Sequence, residues 1–555
     1  MGFLHIPTFM DRFTNPERLY LEQSGLIYAM CALAAPFYYA DTIGAGVENH
    51  QSNTQFFDAG KGWAEAAREH LFSNFGQPGI EYLMTEVLLH EHYLRIGDYA
   101  KGFMISGQIA RHLQILQLNI ENDSDILCRK TSTVCASKET RRRLVWACYL
   151  LDALIECGID QLRLIVPEDI HVQLPCLEEL FVRNTPRITE MLAEGKLLPF
   201  IDPTLSTETS ANLDMRSFYI RAMAIRSKLL KFVKHLDNEV PWEISDSSKF
   251  SRLDKELRNM ENSIPEYLKM STENMYLFKA SGRLNLYFGL HILMSQNFHD
   301  LYRIGVSHLV FPNTATQWIR ENAPEEFIRQ CHHMCASKSV YIASILKDLW
   351  TCHKPSIIDT PYAMHIQVCS SVLVTTLTSW SFHSFHGPLL PEFGYCDYQE
   401  MLQNNVTMLQ YLQRYIKADM YCGSATQALR RFKKLFSADP STTIRGSSIN
   451  DTDANKRAGY STQLPLEHVL NPLGTYPMAR KQTQIQDKPG ADATEDIPVE
   501  EPDQARSLNS IAVDIEEFPS SDYMFPSHLL DWESEISIMS SMGYPTFLEN
   551  LSVEL

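Results

Sequence analysis

Between residues 20 and 437, apolar side chains recur at helical spacing almost without interruption. Stretches alternating apolar and polar residues, the mark of half-buried strands, are almost absent. This one property commits the chain to an all-α fold. Leu83, Val87, Leu88 and Leu94 fall near a 3.6-residue period within 80–96, and Gly97-Asp98 then breaks the pattern, with Asp98 placed to cap the next helix. That helix runs through Phe103, Ile109, Leu113 and Leu116. Another spans about 139–157, where Trp146, Tyr149, Leu150, Ala153 and Leu154 form one expected core face, and Gly158 ends it. Further helices are predicted at about 211–236, 250–262, 274–303, 325–350, 361–384, 398–416 and 424–436. No repeat of roughly 34 or 40 residues recurs, so a large irregular helical domain over 1–437 is expected, not a regular solenoid.

The 555 residues carry a net charge of −18, and its distribution matters more than its size. Ala491 to Leu555 holds 15 acidic residues and a single basic one, Arg506, a net of −14. The remainder is nearly neutral, with only two short basic clusters, Arg141–Arg143 and Arg430, Arg431, Lys433 and Lys434. Such a body presents no large electrostatic footprint for phosphate backbones. Residues 438–510 contain seven prolines and no sustained apolar period, the composition of a disordered linker. In 511–555, acids such as Asp522, Asp531, Glu533 and Glu535 are interleaved with aromatic and aliphatic residues. This acidic-hydrophobic mixture is that of a candidate activation segment. Phe525, Leu529, Trp532 and Ile536 are spaced by four, three and four, so a helix induced by a partner would gather them into one stripe. A helix docked on the body, or a solvated tail, is the alternative reading.

Several function classes lack their residues. There is no phosphate-loop or dinucleotide glycine pattern and no nucleophile elbow, and His90-Glu91-His92 places its imidazoles on different helix faces. Cys331, His332, His333 and Cys335 are the best metal candidates, since Cys331 and Cys335 share a helix face, with Cys352 or His353 as further ligands. No second ligand pair at finger spacing accompanies them, and a helical core pair is the favoured reading. Glu178-Glu179 and Glu325-Glu326 read as solvated faces or first-turn acids, with Pro324 starting a helix. No nucleophile, base and orienting group assemble by sequence, so no enzyme is expected. The 12 cysteines are scattered in the manner of reduced, buried thiols. The N-terminus has neither a signal-peptide pattern nor a myristoylation pattern. Ser24 to Ala40 is short and contains Pro36. Pro361 to Pro391 carries His365, Gln367 and seven Ser/Thr between Ser370 and Ser381, so a buried helix is expected there and no membrane span.

The stretch KETRRRLVWACYLLDALIECGIDQLRLIVPEDIHVQLPCLEELF, 138–181, resembles the core of the fungal-specific transcription factor domain, the middle homology region of fungal binuclear zinc-cluster regulators. The residues that carry the resemblance are Arg142, Arg143, Trp146, Asp152, Gly158, Asp169-Ile170 and Leu174-Pro175. Val145 replaces the first of the family's tandem aromatics, and Gln161-Leu162 its Arg-Pro. Upstream, Phe3 to Phe9, Trp63 with Ala67, and Leu88 to Leu118 resemble the opening segment, the early helix and the helical hairpin of that domain. The bottom-up reading of these residues is fold maintenance. Arg142 and Arg143 would pair with acids such as Glu139 or Glu156 or cap carbonyls, and Asp169 would start a turn.

The resemblance implies a nuclear, non-catalytic transcription regulator controlling RNA polymerase II-dependent expression. It implies transcription machinery or coactivators as partners of the acidic tail, and a small effector and a dimer as further candidates. The family's six-cysteine zinc cluster is not in this sequence, whose first cysteine is Cys31. Zinc is therefore implied only for that module, no cofactor is expected in this chain, and DNA binding is expected only through an upstream cluster or a partner. The alternatives are a helical protein-binding scaffold and an enzyme on an unfamiliar helical fold.

Overall fold

The computed structural model describes residues 2–436 except 15–23, 45–55, 75, 122–124, 126, 129–133, 157–158, 160–161, 203, 205–208, 237–239, 244–247, 308, 310–313 and 383–386, together with Ala479. Gly158, the expected linker apart from Ala479, and the tail with Phe525, Leu529, Trp532 and Ile536 lie outside the described residues.

Among the described residues the architecture is all-α, with two isolated β-bridges, Ile120 to His171 and Cys176 to Leu213, and no strands. An N-terminal group comprises α1 (Ile6–Phe13), α2 (Gly25–Gly44), α3 (Lys61–Ser73), α4 (Ile80–Arg95) and α5 (Tyr99–Ile115). A connecting group follows: α6 (Cys135–Glu156), the short α7 (Glu178–Val182) and α8 (Met215–His235). Next come α9 (Lys249–Ser263), α10 (Thr272–Ala280), α11 (Leu284–Tyr302) and α12 (Thr314–Asn322). The last four are α13 (Glu325–Cys352), α14 (Thr360–Phe382), α15 (Tyr395–Leu412) and α16 (Asp419–Phe436).

Local chemistry sets the breaks. The Asp98 carboxylate accepts from the Lys101 amide at 3.2 Å and starts α5, as the sequence predicts. Pro324 caps α13. The single helix expected over 274–303 is instead two. Arg283 follows Gly282, whose φ of +65° is left-handed and ends α10, and α11 starts afresh at Leu284. Gly60 allows the closest approach in the N-terminal group, because a Cβ there would lie 1.9 Å from the Ala32 carbonyl oxygen.

One hydrophobic cluster runs from Phe3 to Phe432. Helix α11 sits at its centre, packed on α8 and α13, and α14 packs on α13 and α16. Helix α6 touches α5 and α8 and so joins the N-terminal group to the rest. The C-terminal helices return to the N-terminal group, where Phe37 stacks on Tyr415 at 5.5 Å and the Lys417 amide donates to the Arg95 carbonyl at 2.7 Å.

Trp146, Tyr149 and Ala153 are buried on α6, but Leu150 and Leu154 are only half-buried. Ala147, Leu150, Leu151 and Leu154 form the half-open edge of a helix enclosed on its other sides, so the true buried face is rotated toward Arg142, Val145, Tyr149 and Asp152. Helix α14 is buried despite its polar residues. Its hydroxyls bond to backbone one turn back, as Ser370 does to the Ile366 carbonyl at 2.9 Å, and Gln367 donates to Ser424 on α16 at 3.0 Å. No described helix is long and apolar enough to cross a membrane.

Candidate functional site

The arginine pair of the 138–181 stretch organises a densely charged interior. Glu139, Arg142 and Arg143 lie at i, i+3 and i+4 on α6, so their side chains emerge on one face. Arg143 Nε donates to Glu139 Oε1 at 2.9 Å, and its Nη1 to Glu178 Oε2 at 2.6 Å and to the Gly2 carbonyl at 3.0 Å. Its Nη2 reaches the Cys176 carbonyl at 2.7 Å, and its guanidinium lies 4.1 Å from the Phe181 ring centre. One side chain thus ties together the N-terminus, α6, the 174–178 segment and α7. Arg142 holds Glu121 through two nitrogens, at 3.0 and 2.9 Å, and approaches Glu139 at 3.4 Å.

The network continues across α8 to α11. Glu178 also accepts from Arg216 at 2.6 Å. Asp214, fully buried as the N-cap of α8, accepts from the Arg216 amide at 2.9 Å and from Arg283 Nη2 at 2.8 and 2.6 Å. Acids and arginines alternate along the path Glu121, Arg142, Glu139, Arg143, Glu178, Arg216, Asp214, Arg283, so every charge has an opposite neighbour. Burial alone would raise the carboxyl pKa of Asp214, but Arg283, Arg216 and Arg143 outweigh it and hold the group well below its ordinary range. Glu178 is lowered in the same way by Arg216 and Arg143. Burial pulls the Arg143 pKa down, and Glu139, Glu178 and Asp214 more than reverse that. These groups are locked in their charged forms. Such a network holds elements together.

The other motif residues also act through backbone contacts. Trp146 Nε1 donates to the Gln173 carbonyl at 2.8 Å, and its ring meets Tyr149 edge-on at 5.5 Å. Asp152 accepts from the Leu164 and Ile165 amides at 2.9 and 2.7 Å, fixing the chain beyond the end of α6. Asp169 closes a 3-10 turn at the surface, and its carbonyl accepts from Asn119 at 2.9 Å. Leu174 is fully buried and its carbonyl accepts from Thr189 at 2.6 Å, while the Pro175 carbonyl accepts from Ser217 at 2.9 Å. Arg143, Trp146 and Asp152 thus hold the chain from Leu164 to Glu178, which contains Leu174 and Pro175, on α6.

Glu178 is a first-turn acid of α7, one of the two readings its pairing with Glu179 allowed, but it is not solvated, because the short helix turns it inward onto two arginines. Glu121, Asp214, Arg216 and Arg283 are not anticipated by sequence. Only Asp214 had a local signal, an acid placed to cap a helix.

The remaining candidates do not converge. Cys331 and Cys335 are buried on α13, His332 bonds to the Ile328 carbonyl at 2.8 Å and to Ser379 at 3.0 Å, and His333 points outward. Burial pushes both thiols up. Among the described residues no three His, Cys, Asp or Glu side chains are placed to hold a metal ion. His90 and His92 are buried, and desolvation holds each imidazole down at about 4. A cleft of about 460 Å³ beside the α4–α5 turn mixes Asp58, Glu65 and Asp98 with Lys61, Lys101 and Lys417, and Asp98 is paired with Lys101 at 2.9 Å.

Residues 1–262, which contain all of this network except Arg283, match the family model of the fungal specific transcription factor domain. The chain is similar to the Zn(2)-C6 fungal-type transcription factor FTF1c of Fusarium oxysporum f. sp. lycopersici, 27% identical over 313 residues that cover 55% of this chain and 32% of that protein. It is also similar to FTF2 of the same organism, 27% identical over 312 residues, 55% of this chain and 28% of that one. The uncharacterized transcriptional regulatory protein C1327.01c of Schizosaccharomyces pombe is 25% identical over 280 residues, 49% of this chain and 27% of that protein. The chain thus spans about a third or less of the length of these relatives. No solved structure matches it.

Proposed function

We propose, for a chain that carries the fungal specific transcription factor domain over residues 1–262, that it is the regulatory part of a zinc-cluster transcription regulator acting in the nucleus. The observation that carries this reading is the match itself, together with the similarity to proteins described as transcription factors. The helical body is the non-catalytic part. Its charges are spent on one another in the Arg142–Arg143 network, and its near-neutral balance leaves DNA contact to a zinc cluster or a partner. Residues 511–555 form the activating part and engage coactivators or transcription machinery through Phe525, Leu529, Trp532 and Ile536. Linker 438–510 joins the two, and an effector or a second copy of the body would set when the tail is available.

The test is a reporter assay with residues 511–555 fused to a foreign DNA-binding domain. Activation is expected. Joint replacement of Leu529 and Trp532 by Ala should remove it, and Glu549→Ala should leave it nearly intact. Silence from the tail alone and from the full chain, in the same assay, would overturn the proposal.

A further inference from the structure

Leu94 lies in the last turn of α4, Tyr99 opens α5 and Phe103 follows one turn later. The three flank the Gly97-Asp98 turn and form a small apolar cluster separate from the main core. Its third buried member is Ala479, which is only 6% exposed. Ala479 is separated by 42 intervening residues from Phe436, the last residue of the helical body. Ala479 thus buries its methyl group against side chains of the α4–α5 hairpin.

The seat has a definite chemistry. It is apolar at its centre and takes a small side chain. It lies at the C-terminal turn of α4, where the carbonyl ends of the helix favour cations. Ala479 is followed in sequence by Arg480 and Lys481. A small residue followed by two cations suits an apolar seat beside a helix C-terminus. Closing a loop of 42 residues adds little more entropy cost than closing a shorter flexible one, because that cost grows only with the logarithm of length.

We infer that the turn between α4 and α5 is a docking site for the chain's own segment around Ala479, with Ala479 as its buried anchor. The docked segment divides the stretch after α16 into a closed loop and a free end. The 31 residues from Arg480 to Ser510 then set how far 511–555 reaches from the body. That last consequence rests on the tail reading above. The docking itself does not, and it is tested without any transcription assay.

A fluorescent peptide of residues 472–487 is titrated, by anisotropy, into the full chain and into the full chain carrying Ala479→Asp. The substitution puts a charge into the apolar seat and lies outside the helical body, so it empties the site without touching the body's core. The peptide should bind the variant saturably. It should bind the unmodified chain at least about tenfold more weakly, because the tethered segment competes at an effective concentration of roughly millimolar. A peptide carrying Ala479→Asp should not bind, and Phe103→Asp in the variant chain should remove binding while circular dichroism shows unchanged helix. Equal binding to both chains, or none to the variant, overturns the inference. So does light scattering that finds the unmodified chain dimeric and the variant monomeric, because the segment would then sit on a second copy.

Discussion

Two interiors of this molecule handle polar groups in opposite ways. Around Arg143 every charge has an opposite neighbour at hydrogen-bond distance. Along α4, α11 and α14 the buried polar groups are mostly neutral, and several have ring or amide atoms without a protein partner. Both nitrogens of His90, Nδ1 of His299 and His365, and both polar atoms of Gln296 are examples. The difference follows from the cost of burial. An ion without a counter-ion is too expensive to keep, whereas an imidazole can shed its proton and remain as a neutral ring. His90, His92 and His299 are accordingly held at about 4 and His365 at about 3, each with desolvation as the leading cause. The first interior therefore depends on each of its members, and the neutral groups of the second tolerate the loss of one.

The largest effect should come from breaking the first interior. Arg143→Ala leaves Glu139 and Glu178 short of a partner and frees the Gly2 and Cys176 carbonyls. A loss of roughly 3–5 kcal/mol in urea unfolding is expected, as for other broken buried pairs. A loss below about 1 kcal/mol would erase the contrast.

A smaller effect sharpens it. His90→Leu removes no protein hydrogen bond and should change stability at pH 7 by less than about 1.5 kcal/mol. Its signature is in the pH dependence. The His90 pKa is depressed in the folded state, so between about 6.5 and 4 the unfolded chain binds more protons and the folded form loses stability as pH falls. The slope from one such group is about 1.4 kcal/mol per pH unit. Glu91, pushed up to about 7 by burial and Asp359, works in the opposite direction over the same range, so the difference between the two chains, not the raw curve, isolates His90. Parallel unfolding curves for the two proteins from pH 6.5 to 5 would contradict this account. Below about pH 4 the depressed carboxyl of Asp214 adds its own loss, because its contribution is present above the ordinary carboxylate pKa and disappears as it protonates.

The smallest effect marks the surface limit. Arg329 pairs with Glu325 on the exposed first turns of α13. Arg329→Ala should cost no more than about 0.5 kcal/mol by the same urea measurement. A cost comparable with that of Arg143→Ala would mean that burial does not separate the two kinds of arginine.

Much of the first interior could be read from the chain. The arginine pair, Trp146, Asp152 and Leu174-Pro175 lie within one stretch, and Glu139 falls at i−3 and i−4 to the arginines, a local relation. Glu121, Glu178, Asp214, Arg216 and Arg283 come from four other places, the chain after α5, α7, the start of α8 and the start of α11, and no periodicity links residues that meet only after folding. The division of 274–303 into two helices had a local cause in Gly282, but the apolar period continues through it and hid the break. Leu150 and Leu154 were placed in the core because helical spacing identifies a stripe without fixing which edge of it faces solvent. The buried histidines were visible as residues, while their lowered basicity depends on neighbours far away in sequence.

The claim that Arg143 acts as a shaped donor and not merely as a positive charge is tested most directly by urea unfolding of Arg143→Lys. Lysine keeps the charge but cannot reach Glu139, Glu178 and two carbonyls at once. The account predicts a loss of about 1.5–3 kcal/mol at unchanged m value. An unfolding midpoint equal to that of the unmodified protein would contradict it.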